Sequence, residues 1–133
     1  VTEQRRGTVR TYRDLTAWQK AFDVCADVYG ITKRFPRSEV YGLTAQMQRA
    51  AVSVPSNIAE GFGRRTTADF LRSLYIAYGS ICELQTQALL AIKLCYVRDP
   101  EADRLLQSIG DTERLTKALI KALEKKLSPD SCT

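Results

Sequence analysis

The sequence predicts an all-α fold, an antiparallel up-down-up-down bundle of four helices. Apolar residues recur at spacings of three and four along four long segments, and no segment shows the period-two alternation of a half-buried strand. The segments are punctuated by Phe35-Pro36, Gly61-Phe62-Gly63 and Asp99-Pro100. Short connections between long helices favour antiparallel neighbours. A chain of 133 residues forms one domain and can bury a core without staples.

The first helix is expected from Asp14, as N-cap, to about Lys33. It carries two apolar stripes side by side: Leu15, Trp18, Phe22, Cys25, Tyr29 and Thr32, and Ala17, Val24, Val28 and Ile31. One wall of a monomeric bundle needs a narrower face, so the excess points to a subunit contact. Ser38 is expected to cap a second helix from Glu39 to about Phe62, kinked at Pro55. An interior proline removes a backbone hydrogen bond and costs roughly 3 kcal/mol, which packing must offset. Gly61 and Gly63 suit the left-handed conformation that ends helices.

Thr66 and Asp69 form a capping-box pattern that starts a third helix, ending near Cys95. Its main stripe is Phe70, Leu74, Ala77, Ile81, Leu84, Ala88, Ile92 and Cys95, widened by Leu71, Tyr75, Tyr78, Cys82 and Leu89. This breadth again exceeds what one core requires. Asp99-Pro100-Glu101 reads as a helix start, followed by a narrow stripe from Leu105 to Leu127 with lysines opposite. The bundle is thus expected over 14–127, with a flexible N-terminal arm at 1–13 and a frayed tail at 128–133.

Hydrophobic residues at 44% and charged residues at 26% describe a globular chain. No apolar run approaches the roughly 20 residues of a membrane span, and the first residues lack the apolar core of a signal peptide. A cytoplasmic protein with no membrane association is the expectation. Histidine is absent, and Cys25, Cys82, Cys95 and Cys132 show no ligand spacing, so neither metal nor cofactor is expected. The net charge of +5 is uneven: residues 1–98 hold 14 Lys/Arg against 8 Asp/Glu, and residues 99–133 hold 6 against 7. Such a balance permits attraction to polyanions without demonstrating it.

The order of motifs resembles the four-helix-bundle proteins encoded in intervening sequences of bacterial 23S ribosomal RNA genes. The matching residues are Asp14-Leu15-Thr16-Ala17-Trp18-Gln19-Lys20-Ala21, Phe35-Pro36, Glu39-Val40-Tyr41-Gly42-Leu43 and the stretch Gln46 to Gly61. Arg64, Phe70, Ile76-Ala77-Tyr78-Gly79-Ser80 and Glu83-Leu84 follow. Together they span most of residues 12–127. The family pattern commonly has two adjacent arginines where this chain has Gln48-Arg49. The resemblance implies a bundle that assembles into rings, typically pentamers, and no enzymatic activity. The accessory variability proteins of retroelements, which associate with nucleic acid, are similar in architecture.

Two basic surfaces are candidates for binding RNA or DNA. Arg64 and Arg65 precede a helix N-terminus, where free N–H groups and the macrodipole favour an anion, and arginine pairs well with phosphate. Arg49 and Arg72 would extend that patch. Lys117, Lys121 and Lys125 form a second stripe on the last helix, which equally suits a solvated helix face. Candidate subunit contacts are Trp18, Val24, Val28, Ile31, Leu71, Tyr75 and Tyr78. Ser53, Ser56, Asn57 and Glu60 form the one polar cluster with catalytic residue types, but no histidine or nearby lysine activates a serine. The expectation is a non-enzymatic, ring-forming scaffold that binds RNA or DNA. The alternative is a pure protein-interaction module, whose partner would be another protein.

Overall fold

The computed structural model describes residues 9–127, and the expected tail at 128–133 and the arm before residue 9 lie outside the described residues. Four α-helices make up the fold: α1 (Thr16–Thr32), α2 (Leu43–Phe62), α3 (Thr67–Lys93) and α4 (Glu101–Leu127). Each packs on its sequence neighbours, and α1 also packs on α4, so α1 and α3 occupy opposite corners. Cross-helix contacts run in opposite senses. Lys20 meets Asp111 and Arg34 meets Glu101 between α1 and α4. Between α2 and α3, Ser53 meets Ser80 and Phe62 meets Phe70. Neighbouring helices are therefore antiparallel.

The core is aliphatic and tightly closed. Val28, Met47, Ile58, Leu74 and Ala77 have no measurable exposure, and alanines 17, 21, 50, 51, 77, 88 and 91 let the helix axes approach. Helix α2 runs without interruption through Pro55, which is buried. Beside it, the Asn57 side-chain amide donates to the Ser53 carbonyl at 2.8 Å. One polar atom on α4 is left alone: the Thr116 hydroxyl is buried with no partner.

Three helix boundaries differ from expectation, each for a local reason. Asp14 does not cap α1. Its carboxylate accepts the Arg10 and Thr11 N–H groups at 2.8 and 3.1 Å, closing a capping box with Thr11 around a short 3-10 turn, Tyr12–Asp14. Those N–H bonds hold the Asp14 carboxyl below its ordinary range. This turn packs on α1 and α2. Ser38 does not cap α2 either. It lies in a second 3-10 turn, Arg37–Glu39, and the Glu39 carboxylate accepts the Leu43 N–H at 2.9 Å. Glu39 also accepts the Tyr96 hydroxyl at 2.9 Å, and the two bonds lower its pKa, the backbone bond most. Finally, α4 starts at Glu101, one residue later than expected, with Ala102 N–H donating to the Arg98 carbonyl.

No described glycine is left-handed, and the one positive-φ residue is Cys95, at 63°. It closes α3 in a Schellman arrangement, with Cys95 N–H donating to Ile92 O and Tyr96 N–H to Ala91 O, both at 2.9 Å. A β-carbon in this conformation costs roughly 1–2 kcal/mol. Cys95→Gly is therefore expected to stabilise the fold by about 1 kcal/mol after the entropy lost to a more flexible unfolded chain. Thermal unfolding followed by circular dichroism measures the gain.

Candidate functional site

The antiparallel topology brings the two predicted basic surfaces to one end of the bundle. The start of α1, the α2–α3 turn and the last turns of α4 meet there. Residues 9–22, 55–75 and 113–127 hold eleven Lys/Arg and five Asp/Glu, whereas residues 23–54 and 76–112 hold seven and eight. One half of the molecule thus carries all the excess positive charge of the described residues. Arg10 and Arg13, not singled out from the sequence, belong to this end. Only the order of the helices in space could have revealed them.

The side chains at this end differ in availability. Arg64 and Arg65 lie exposed in the turn between α2 and α3. Arg64 reaches Glu60 at 3.4 Å, an exposed pair of the kind worth little. Arg65, Lys121 and Lys125 take part in none of the described ion pairs. Arg72 is held by Asp69 at 2.7 Å, and Lys117 lies 5.7 Å over the ring of Tyr78. At the first turn of α3, the Thr66 hydroxyl accepts the Asp69 N–H at 3.1 Å. Arg49 does not extend the patch. It lies on α2 thirteen residues before Phe62, the last residue of that helix, about 20 Å along the axis from the basic end, in the half without excess charge.

The apolar surplus divides differently from expectation. Val24, Val28, Ile31 and Leu71 are at most 6% exposed within the single subunit. They belong to its own core and are not available to a neighbour. Of the two stripes on α1, the core takes the one built from Ala17, Ala21, Val24, Val28 and Ile31, whose small and branched side chains allow close helix packing. Of the other stripe, Thr32 is buried and Leu15, Trp18 and Cys25 pack partly against the core, and the Phe22 and Tyr29 rings are left outside. Phe22 is 54% and Tyr29 42% exposed, and Trp18 is half-buried. Phe22 stacks on Trp18 at 4.8 Å, and Tyr12 meets Trp18 edge-on at 5.3 Å. On α3, Tyr75 and Leu89 are about half exposed, at 50% and 53%.

Tyr75 and Tyr78 are fixed at their tips. Tyr75 donates to Glu124 at 2.7 Å and Tyr78 to Glu113 at 2.9 Å, and these bonds raise both phenol pKa values. Tyr78 is partly buried, so Tyr75 is the more accessible of the two. Cys82 and Cys95 are exposed and Cys25 is half-buried, where burial raises its thiol pKa.

The serine cluster is a helix contact. The Ser53 hydroxyl lies 2.8 Å from that of Ser80 across α2 and α3, and the Asn57 amide donates to it at 3.0 Å. All three groups are neutral. Glu60 pairs with Arg64 instead, so no base addresses either serine.

A compact antiparallel bundle with a basic end and exposed aromatic faces defines a class of small all-helical proteins. The chain belongs to the 23S rRNA-intervening sequence protein family, whose profile matches residues 13–119. The fold also matches a crystal structure from the S23 ribosomal protein family of Bacteroides thetaiotaomicron, a protein of unknown function. That likeness has a TM-score of 0.73 at 20% identity, over 79% of this chain and 95% of the other, and it is a likeness of fold. No curated protein matches the chain. Among the described residues, no helix is long and apolar enough to cross a membrane.

Proposed function

We propose that this protein is a non-enzymatic cytoplasmic scaffold that assembles into a ring and binds RNA or DNA through its basic end. The concentration of positive charge at that end supports the reading most directly, because eleven cations against five anions form a field that attracts phosphate. A ring, five copies being the number the family resemblance implies, repeats this end in every subunit. Contacts that are weak singly then add through effective concentration. Arginine and lysine here would meet the backbone of the nucleic acid rather than its bases, since no aromatic ladder accompanies them.

The test is binding of single-stranded RNA and of duplex DNA across a salt series. The expected result is sequence-independent binding that weakens steeply as salt rises. Absence of binding at low salt would contradict this reading and favour the protein-interaction module, in which the cations serve solubility.

A further inference from the structure

We propose that the cleft between α1 and α4 binds a small zwitterion, a free α-amino acid with an apolar side chain. The cleft has a volume of about 370 Å³, at the lower end of the range for small-molecule sites. It lies in the half of the molecule without excess charge, so it is a site apart from the basic end and does not depend on the nucleic-acid reading. Two sets of residues at helical spacing face each other across it. Asp27, Gly30 and Arg34 come from α1 and its end, and Glu101, Arg104 and Ser108 come from α4. The antiparallel register that joins Arg34 to Glu101 brings Arg104 close to the level of Gly30, with Asp27 toward Ser108.

Charge selects the ligand. Arg34 donates to both carboxylate oxygens of Glu101, at 2.5 and 2.6 Å, so these two groups satisfy each other. Asp27 and Arg104 line the same cleft yet take part in none of the described ion pairs, with each other or with any other residue. One carboxylate and one guanidinium therefore stand open on opposite walls. A simple anion would meet Arg104 but lie near the like charge of Asp27, and a simple cation would do the reverse. A molecule with both an ammonium and a carboxylate pairs with each wall, and arginine holds a carboxylate through paired hydrogen bonds. Gly30 leaves the room between them. Nothing lies within 4 Å of a β-carbon there, although glycine inside a helix is unfavourable relative to alanine. No packing contact of the chain itself accounts for this glycine, whereas a ligand lying over α1 does. Ile31 and Leu105 are the buried members of the lining, an apolar floor that suits an apolar side chain. Each exposed charge contact is weak, so the expected Kd is about 1 mM.

Thermal unfolding of the 133-residue chain at neutral pH, titrated with L-leucine, tests this. At about 10 mM L-leucine, roughly ten times the expected Kd, Tm is expected to rise by roughly 4–6 °C and to saturate beyond that. N-acetyl-leucine lacks the ammonium and leucinamide lacks the carboxylate, and each is expected to bind about fivefold more weakly. Gly30→Leu fills the cleft and is expected to abolish the rise over the variant's own Tm. Circular dichroism checks that this variant is folded, and Asp27→Asn/Arg104→Gln, at two exposed positions, serves if it is not. The proposal is overturned by no rise with L-leucine, by a rise that does not saturate, by equal rises with all three compounds, or by a rise that persists in a folded variant. The nucleic-acid reading survives each of these results.

Discussion

Replacing Arg64, Arg65, Lys121 and Lys125 by alanine is expected to abolish binding to RNA and DNA at moderate salt while leaving the fold intact. All four side chains are exposed, and only Arg64 has a described ion-pair partner, so their removal disturbs little packing. The loss follows from counterion release. Each duplex phosphate neutralised adds about 0.9 to the slope of log affinity against log salt, or about eightfold at 0.1 M relative to the 1 M limit. Four lost contacts correspond to about a thousandfold or more, and the salt slope flattens by about one per contact. Arg49→Ala, outside the basic end, is the control and should change affinity by less than about twofold. A loss of about eightfold, the same as for each contact removed from the basic end, would mean that net charge alone governs binding.

Gly61→Leu is expected to be the most destabilising single change at the α2–α3 contact. A β-carbon at Gly61 would lie 2.7 Å from Ser73 Cβ, 2.8 Å from Phe70 Cδ1 and 3.2 Å from the Phe70 carbonyl oxygen. Two of these atoms are at or beside the backbone of α3, so they yield only if the helix moves. Overpacking costs about 1–3 kcal/mol and sometimes more, and a leucine here falls at the upper end, lowering Tm by roughly 10 °C. Gly79→Ala makes the opposite case. Nothing lies within 4 Å of a β-carbon there, so the helical preference for alanine should raise stability by up to about 1 kcal/mol. Thermal unfolding of both variants gives the comparison, and equal effects would contradict the close approach at Gly61.

Sequence periodicity located all four helices, because a repeat of three and four persists over many turns and averages out single exceptions. The capping residues were less legible. Asp14 and Ser38 have suitable side chains, but Asp14 turns back to its own upstream N–H groups, and the Glu39 carboxylate reaches the start of α2 first. Gly61 has the composition of a helix stop yet serves as the place where two helices touch. Cys95 takes the left-handed role, which its residue type does not announce. The two stripes of α1 are equally apolar in sequence, and only packing against α2 and α4 decides that Val24 and Val28 go in while Phe22 and Tyr29 stay out. The basic end was legible only as fragments. Arg64 and Lys121 are far apart in the chain, and the antiparallel order of α2, α3 and α4 is what gathers them.

The central claim is that the exposed aromatic faces are covered by other copies of this chain. Light scattering coupled to size exclusion, on the 133-residue chain at low micromolar concentration, measures this directly. A single species at a fixed multiple of the 14.9 kDa chain mass, five-fold for the proposed ring, is the predicted result. A folded species at 14.9 kDa across the whole concentration range would contradict it.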